Sequence, residues 1–464
     1  MAALVRDPRR TVIVLPDLHE EDVAELALEL ARLPHARLIV ESRSASPAHL
    51  LLAGGDCAEL DLDLAQWRDQ GRFDQWQASQ PDDHAATEPA PRAVGAEVDL
   101  SDPVVVCGAD PWLVTAAYER FGGQDHGGLA AAWFRAGQSL CREQPPASRA
   151  LTLLGVLGDS ADPRLAPALA ELAAGAGWRV AWSRVRGDVA PPWPGPATTL
   201  AMGRGPLAGC VLTAGPDGCL KAVNLADATA RGRSPGACPE PVALTVLSDG
   251  TVLMLDENGR AQSEGVWAGR AAGSGIEGLL GEEPSGCQRL LASLQGHTGT
   301  ALASTTGPDI GVVALGDATG TVRVFGDVAD SVCLHEGPVT ALAALALPLG
   351  GESTVPLLYS GGADGTVRAW SPGRAPMADA LLVRPCPVVS LDAAVFEDGA
   401  ATVVAWGDGV VECLYWDTGA RRAFRPGPPV RAVALDEVGR VVVGMDEALT
   451  CLFPRQSRAG GDVV

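Results

Sequence analysis

The chain has 464 residues and a formal net charge of −22, with 47% apolar and 20% charged residues. That length predicts two or three domains, and that composition excludes global disorder. So acidic a surface also argues against nucleic acid or an anionic membrane as a partner.

In chain order, "RTVIVLPD" reads as a β-strand, "EEDVAELALELARL" as an amphipathic helix and "ARLIVESR" as a second strand. The start of the sequence shows no signal-peptide pattern, and no apolar run reaches about 18 residues. Residues 78–97 are rich in Pro, Ala and acids without periodicity, which predicts a disordered insert. Beyond them, "DPVVVCGAD", "RALTLLGVLGD" and "WRVAWSRV" read as further strands, separated by helical stretches such as "PRLAPALAELAAGAG". Alternation of nearly continuous apolar strands with helices predicts an α/β domain over residues 1–190 with a mainly parallel sheet. Four carboxylates fall at the expected strand ends: Asp17, Glu41, Asp110 and Asp159. Ligands gather at that edge of open α/β sheets, and clustered carboxylates there would suit Mg²⁺. Helix capping explains the same residues more simply. Asp17 precedes Glu20 by three positions, and Asp110 and Asp162 each precede a proline. The metal site is therefore the lesser reading, and no cofactor is expected. The eleven cysteines form no Cys-x-x-Cys pair, which fits reduced thiols in a cytoplasmic protein.

"GDVAPPWPGP" (187–196) predicts a stiff interdomain linker. After it a new rhythm begins. "VLTAGPDGCLKAVNL" (211–225), "LTVLSDGTVLMLD" (244–256), "VVALGDATGTVRVFG" (312–326), "LLYSGGADGTVRAW" (357–370), "TVVAWGDGVVECLYW" (402–416) and "RVVVGMDEALTCLF" (440–453) share one form. Each is an apolar strand, a turn built on Asp and a second alternating strand. Apolar segments such as "PVTALAALAL" (338–347) precede the clearest copies. One such unit cannot bury both faces, but several arranged radially can. Residues 195–456 are thus predicted to form an all-β propeller of six blades, or seven if 266–294 supplies one, followed by a disordered tail at 457–464.

The segment from His335 to Trp370 resembles a WD-repeat blade. The resemblance implies a hydrogen-bonded tetrad of His335, Ser360, Asp364 and Trp370. His297 holds the corresponding place one blade earlier, but Phe325 stands where Trp is expected. The remaining copies keep Asp217, Asp249, Asp408 and Asp446 and lack the Trp. The overall layout is also similar to propeller components of bacterial systems that contain a MoxR-type AAA+ ATPase and a von Willebrand A protein. That likeness implies those two proteins as partners.

No nucleotide loop, metal-spaced Cys/His set or nucleophile–base pair stands out, so no catalytic residue is expected. The leading expectation is a non-enzymatic interaction scaffold that binds other proteins through a propeller face. The alternative is a metal-dependent hydrolase or nuclease in the N-terminal domain, targeted by the propeller. The tetrad reading predicts that Trp370→Ala costs on the order of 3–5 kcal/mol in denaturant unfolding. Trp67→Ala and Trp76→Ala should cost far less, and equal losses for all three would contradict the reading.

Overall fold

The structure, a computed structural model, describes residues 11–18, 36–42, 99–120, 124–234, 238, 240–264, 286–305, 311–326, 329–348, 354–396 and 399–455. The chain divides into two compact units, 1–96 and 97–464. In the first, β1 (Thr11–Leu18) and β2 (Ala36–Ser42) pair in parallel. The helix expected between them and the insert expected at 78–97 lie outside the described residues.

The second unit opens with helices where two strands were expected. "PVVVCG" is α1 (Pro103–Gly108), and the apolar run near 150 belongs to α4 (Pro146–Gly155). The physical reason is local. The Asp102 side chain accepts the Val104 amide at 2.8 Å, and Pro103 supplies a first-turn φ that needs no amide donor. This cap overrides the β preference of three successive valines. Asp110 does the same for α2 (Pro111–Arg120), accepting the Trp112 amide at 2.9 Å. Helices α3 (Leu129–Ala136) and α5 (Leu165–Leu172) fall where helices were expected.

Six antiparallel sheets then form the blades of a β-propeller. Blade 1 comprises β4 (Thr199–Met202), β5 (Cys210–Ala214), β6 (Leu220–Asn224) and β7 (Ala230–Ser234). Blade 2 comprises β8 (Ala243–Val246), β9 (Val252–Leu255) and β10 (Ala261–Glu264), three strands among the described residues. Blade 3 comprises β11 (Ala301–Ser304), β12 (Val313–Gly316), β13 (Thr321–Phe325) and β14 (Asp330–Cys333). Blade 4 comprises β15 (Val339–Pro348), β16 (Thr354–Gly362), β17 (Thr366–Trp370) and β18 (Leu382–Val383). Blade 5 comprises β19 (Val388–Phe396), β20 (Gly399–Trp406), β21 (Val411–Tyr415) and β22 (Arg421–Phe424).

Blade 6 corrects the expected boundary. Its inner three strands are β23 (Val430–Leu435), β24 (Val441–Met445) and β25 (Ala448–Pro454), but its outer strand is β3 (Trp178–Val185). "WRVAWSRV" is therefore no member of a parallel sheet. It pairs antiparallel with β25, from Ala448 opposite Val185 to Pro454 opposite Trp178. Residues 187–196 link β3 to β4 inside the ring rather than joining two domains. The blade 6–blade 1 seam buries Leu200, Val211, Val442 and Cys451 in one cluster. The Trp182 indole crosses that seam to the Leu225 carbonyl at 2.9 Å.

The helices pack on the same side of the ring. Leu129, Trp133, Leu153 and Leu169 share a core with Val403, Phe424, Val443 and Leu452 of blades 5 and 6. The Thr450 hydroxyl donates to the Gly155 carbonyl at the end of α4, and the Thr152 hydroxyl to the Arg425 carbonyl. A helix α6 (Gly286–Leu294) falls in the 266–294 stretch, and its Leu290 and Leu294 pack with Leu253 and Leu315 of blades 2 and 3. That stretch contributes no seventh sheet among the described residues.

Trp182 is 7% exposed and holds blade 6 to blade 1. Trp182→Ala should cost about 3–5 kcal/mol. Trp112→Ala, at a residue 68% exposed, should fall within about 0.5 kcal/mol of the parent. Chemical denaturation of both variants checks this, and a Trp182 loss no larger than the Trp112 loss contradicts the closure.

Candidate functional site

Inner strands all begin at one face of the ring, here the upper face. The turns between second and third strands lie at that face too, as do the connections that enter each blade. Gly320 and Gly365 occupy these turns with φ of +88° and +74°, and a Cβ on either would collide with the next entering segment, at His335 O and Arg384 O respectively. Glycine thus lets each turn nest against its neighbour.

Three of the four tetrad residues meet there. The Ser360 hydroxyl lies 2.9 Å from His335 Nε2, and His335 Nδ1 lies 3.1 Å from Asp364 Oδ1. Burial holds the His335 pKa below its ordinary value, against the pull of Asp364. The neutral ring therefore donates from Nδ1 to Asp364 and accepts the Ser360 proton at Nε2. Burial opposes ionisation of Asp364, but the Thr366 hydroxyl and the Thr366 and Glu336 amides outweigh it and hold the carboxyl low. Trp370 stands outside this network. Its indole donates to the Arg374 carbonyl at 2.9 Å, and its ring fills the core between blades 3 and 4. The order Ser–His–Asp matches that of a nucleophilic triad, but Ser360 is 0% exposed. A nucleophile sealed from solvent cannot meet a substrate, so the arrangement is a structural tie.

The neighbouring blades make the same tie with other chemistry. Arg384 lies four residues before Val388, as His335 lies four before Val339. It bonds Asp408 at 2.9 Å, and Arg425 reaches the same carboxylate at 3.3 Å. Burial raises the Asp408 pKa, but the Val410 amide and the two guanidinium groups bring it below the usual range. Arg431 grips Asp446 through two bonds of 2.9 and 2.8 Å. In blade 3 the His297 ring packs on Phe325 at 5.1 Å instead. Asp249 is displaced from the expected set. The hairpin at 244–256 is the first and second strands of blade 2, so its turn lies on the opposite, lower face.

The central channel was not anticipated. It is lined by the inner strands of all six blades and encloses about 100 Å³. Arg204, just past β4, crosses its lower end. Its Nη1 donates to Val246 O at 2.9 Å, Ser304 O at 3.1 Å, the Ser304 hydroxyl at 2.9 Å and Thr305 O at 3.0 Å. One side chain from blade 1 thereby ties blades 2 and 3. Across the channel, Asp392 of β19 accepts the Leu435 amide at 2.8 Å and the Ala393 amide at 2.8 Å. Burial pushes its carboxyl up to about 6 and pushes the Arg204 pKa down. The two act on each other through the field and form no contact pair. Asp392 had a sequence signal: the residue in the same register of blade 4 is Ala343, opposite Tyr359 as Asp392 is opposite Val403. A carboxylate in an inner strand breaks that pattern.

The four carboxylates proposed for a metal are placed as follows. Asp17 and Glu41 lie near the carboxyl ends of β1 and β2, in the first unit. Asp110 caps α2. Asp159 accepts the Val189 amide at 3.0 Å, while its own amide donates to Asp188 at 2.9 Å. The Val189 amide holds the Asp159 carboxyl low, and burial raises that of Asp188. Among the described residues no group of three or more His, Cys, Asp or Glu side chains is arranged to hold a metal ion. No helix among them is long and apolar enough to cross a membrane. Trp67 and Trp76 lie outside the described residues. No protein-family model matches the chain, and no curated protein matches it.

The Asp392 carboxyl is raised in the folded protein to about 6. The folded state therefore binds more protons than the unfolded one between about pH 4 and pH 6, and the Asp392 contribution weakens as pH rises through that window. The stability of the parent relative to Asp392→Asn should thus fall from pH 4.5 to pH 7.5, by on the order of 2 kcal/mol. Urea unfolding at the two pH values measures it, and a difference that rises with pH contradicts the assignment.

Proposed function

We propose that this chain is a non-enzymatic protein–protein interaction scaffold of the WD-repeat kind, working in the cytoplasm. The observation that carries the reading is the upper face of the propeller. Its ties are internally satisfied, while Val189, Val242 and Val383 stand 78%, 47% and 69% exposed at that face. Isolated exposed valines are ordinary, but three at one face of a rigid disc, among paired arginines and carboxylates, suit a partner surface with an apolar centre and charged rim. Met377 and Val438 are exposed at the opposite face, 54% and 59%. The similarity in layout supports a MoxR-type AAA+ ATPase and a von Willebrand A protein as the partners, with no nucleic acid or membrane engaged.

A second reading keeps a metal-dependent hydrolase or nuclease in the first unit. It rests on Asp17 and Glu41 near the carboxyl ends of adjacent parallel strands.

Affinity capture from the native cytoplasm should retain a specific partner at low salt and less of it at high salt, since rim charges are screened over about 8–10 Å. Val383→Asp should cut retention at least ten-fold with unchanged unfolding. No retained partner, together with metal-dependent turnover abolished by Asp17→Asn, would replace the scaffold with the enzyme.

A further inference from the structure

The channel holds two opposite charges that do not touch. Arg204 is balanced by three backbone carbonyls and one hydroxyl, all neutral acceptors. Asp392 is balanced by two backbone amides. Each is half-buried at the channel wall, and desolvation there shifts each toward its neutral form. A partly desolvated charge whose hydrogen-bond partners are all neutral dipoles is costly to keep. A direct Arg–Asp contact would relieve both, yet no hydrogen bond or ion pair joins them, and both line the open space of the central channel. That space, about 100 Å³, admits several water molecules or one small organic molecule.

The occupant is constrained by charge. A lone anion would answer Arg204 and leave Asp392 facing it, and a lone cation would do the reverse. An apolar molecule would strip water from both. A molecule with an anionic group at one end and an ammonium at the other satisfies both walls at once. Thr199, Thr245, Ser304 and Ser390 add hydroxyl-bearing side chains to the channel lining. Some are already committed: Thr245 and Ser304 bond each other at 2.8 Å, and Ser390 accepts the Val433 amide at 3.0 Å.

We propose that the central channel is a binding site for a small zwitterion of the α-amino-acid type, its carboxylate toward Arg204 and its ammonium toward Asp392. The ligand would link blade 1, which carries Arg204, to blade 5, which carries Asp392, and so extend the tie that Arg204 already makes to blades 2 and 3. Occupancy therefore stiffens the ring and raises its unfolding temperature by mass action. This inference is independent of the scaffold reading, since it concerns the channel and not the outer face.

The test is isothermal titration and thermal unfolding of the full chain with glycine and L-alanine, alongside acetate and methylammonium as the two half-ligands. Glycine or L-alanine should bind saturably and raise the unfolding temperature, with each half-ligand at least ten-fold weaker. Arg204→Gln and Asp392→Asn should each weaken the zwitterion at least ten-fold. If either variant fails to fold, the comparison of probes on the parent chain decides alone. Affinity should fall as pH drops through about 6, where Asp392 loses its charge. The charged groups that act on this space are Arg204, Glu437 at the lower mouth, and Arg431 with its partner Asp446 at the upper one. Acetate binding as tightly as glycine would overturn the proposal, as would a channel that takes up water only, with no saturable heat from either amino acid.

Discussion

Everything in the second unit depends on the pairing of β3 with β25. A propeller is a ring of sheets, each burying its face against the next, and a ring needs its first and last members joined. Here the chain lays down the outer strand of blade 6 before it builds blade 1, then returns about 260 residues later to complete that blade. The loop so closed spans the entire ring, so its entropic cost is met only once all six blades are in place. The seam is reinforced away from the ladder by Trp182 and by the Gly155 carbonyl, which accepts from both Thr450 and Ser183. The helices are thus part of the clasp, since α4 ends on the two strands that shut the ring.

Polar ties then hold neighbouring elements in register around the disc. On blade 4 the tie is His335 with Ser360 and Asp364, on blade 5 it is an arginine–aspartate pair, and in the channel it is Arg204 bonded to two other blades. The chemistry varies while the geometry persists, because what the fold requires is a satisfied donor and acceptor at each entry point rather than a particular side chain. Arginine serves well here: its planar fork serves several acceptors at once and it stays charged when partly buried. The single lysine, Lys221, is used in a related way, bonding the Pro194 carbonyl at 2.7 Å within the connection that leads into blade 1.

The propeller was legible because Asp-Gly turns between alternating strands are a local signal repeated many times. Its edge was not legible, because "WRVAWSRV" carries the periodicity of any half-buried strand and nothing in it names a partner some 270 residues away. The helices at 103–108 and 146–155 were misread for a related reason: a short apolar run does not distinguish a buried strand from a buried helix. The Asp-Pro cap at 102–103 was the available discriminator, the same grammar that marks Asp110-Pro111. On blade 4, the resemblance placed His335, Ser360 and Asp364 together, but the direction of the Trp370 indole depends on the turn at Arg374, which sequence spacing does not fix. Asp392 and Arg204 were missed because they come together only through the ring, from strands nearly 190 residues apart.

Native-state hydrogen exchange across the ring tests the closure most directly. If β3 completes blade 6, the hydrogen-bonded amides of residues 178–185 and 448–454 exchange only on global unfolding, with the same free energy as those of β15 and β16. Exchange of residues 178–185 at a much lower free energy, as an independent local opening, would contradict the account.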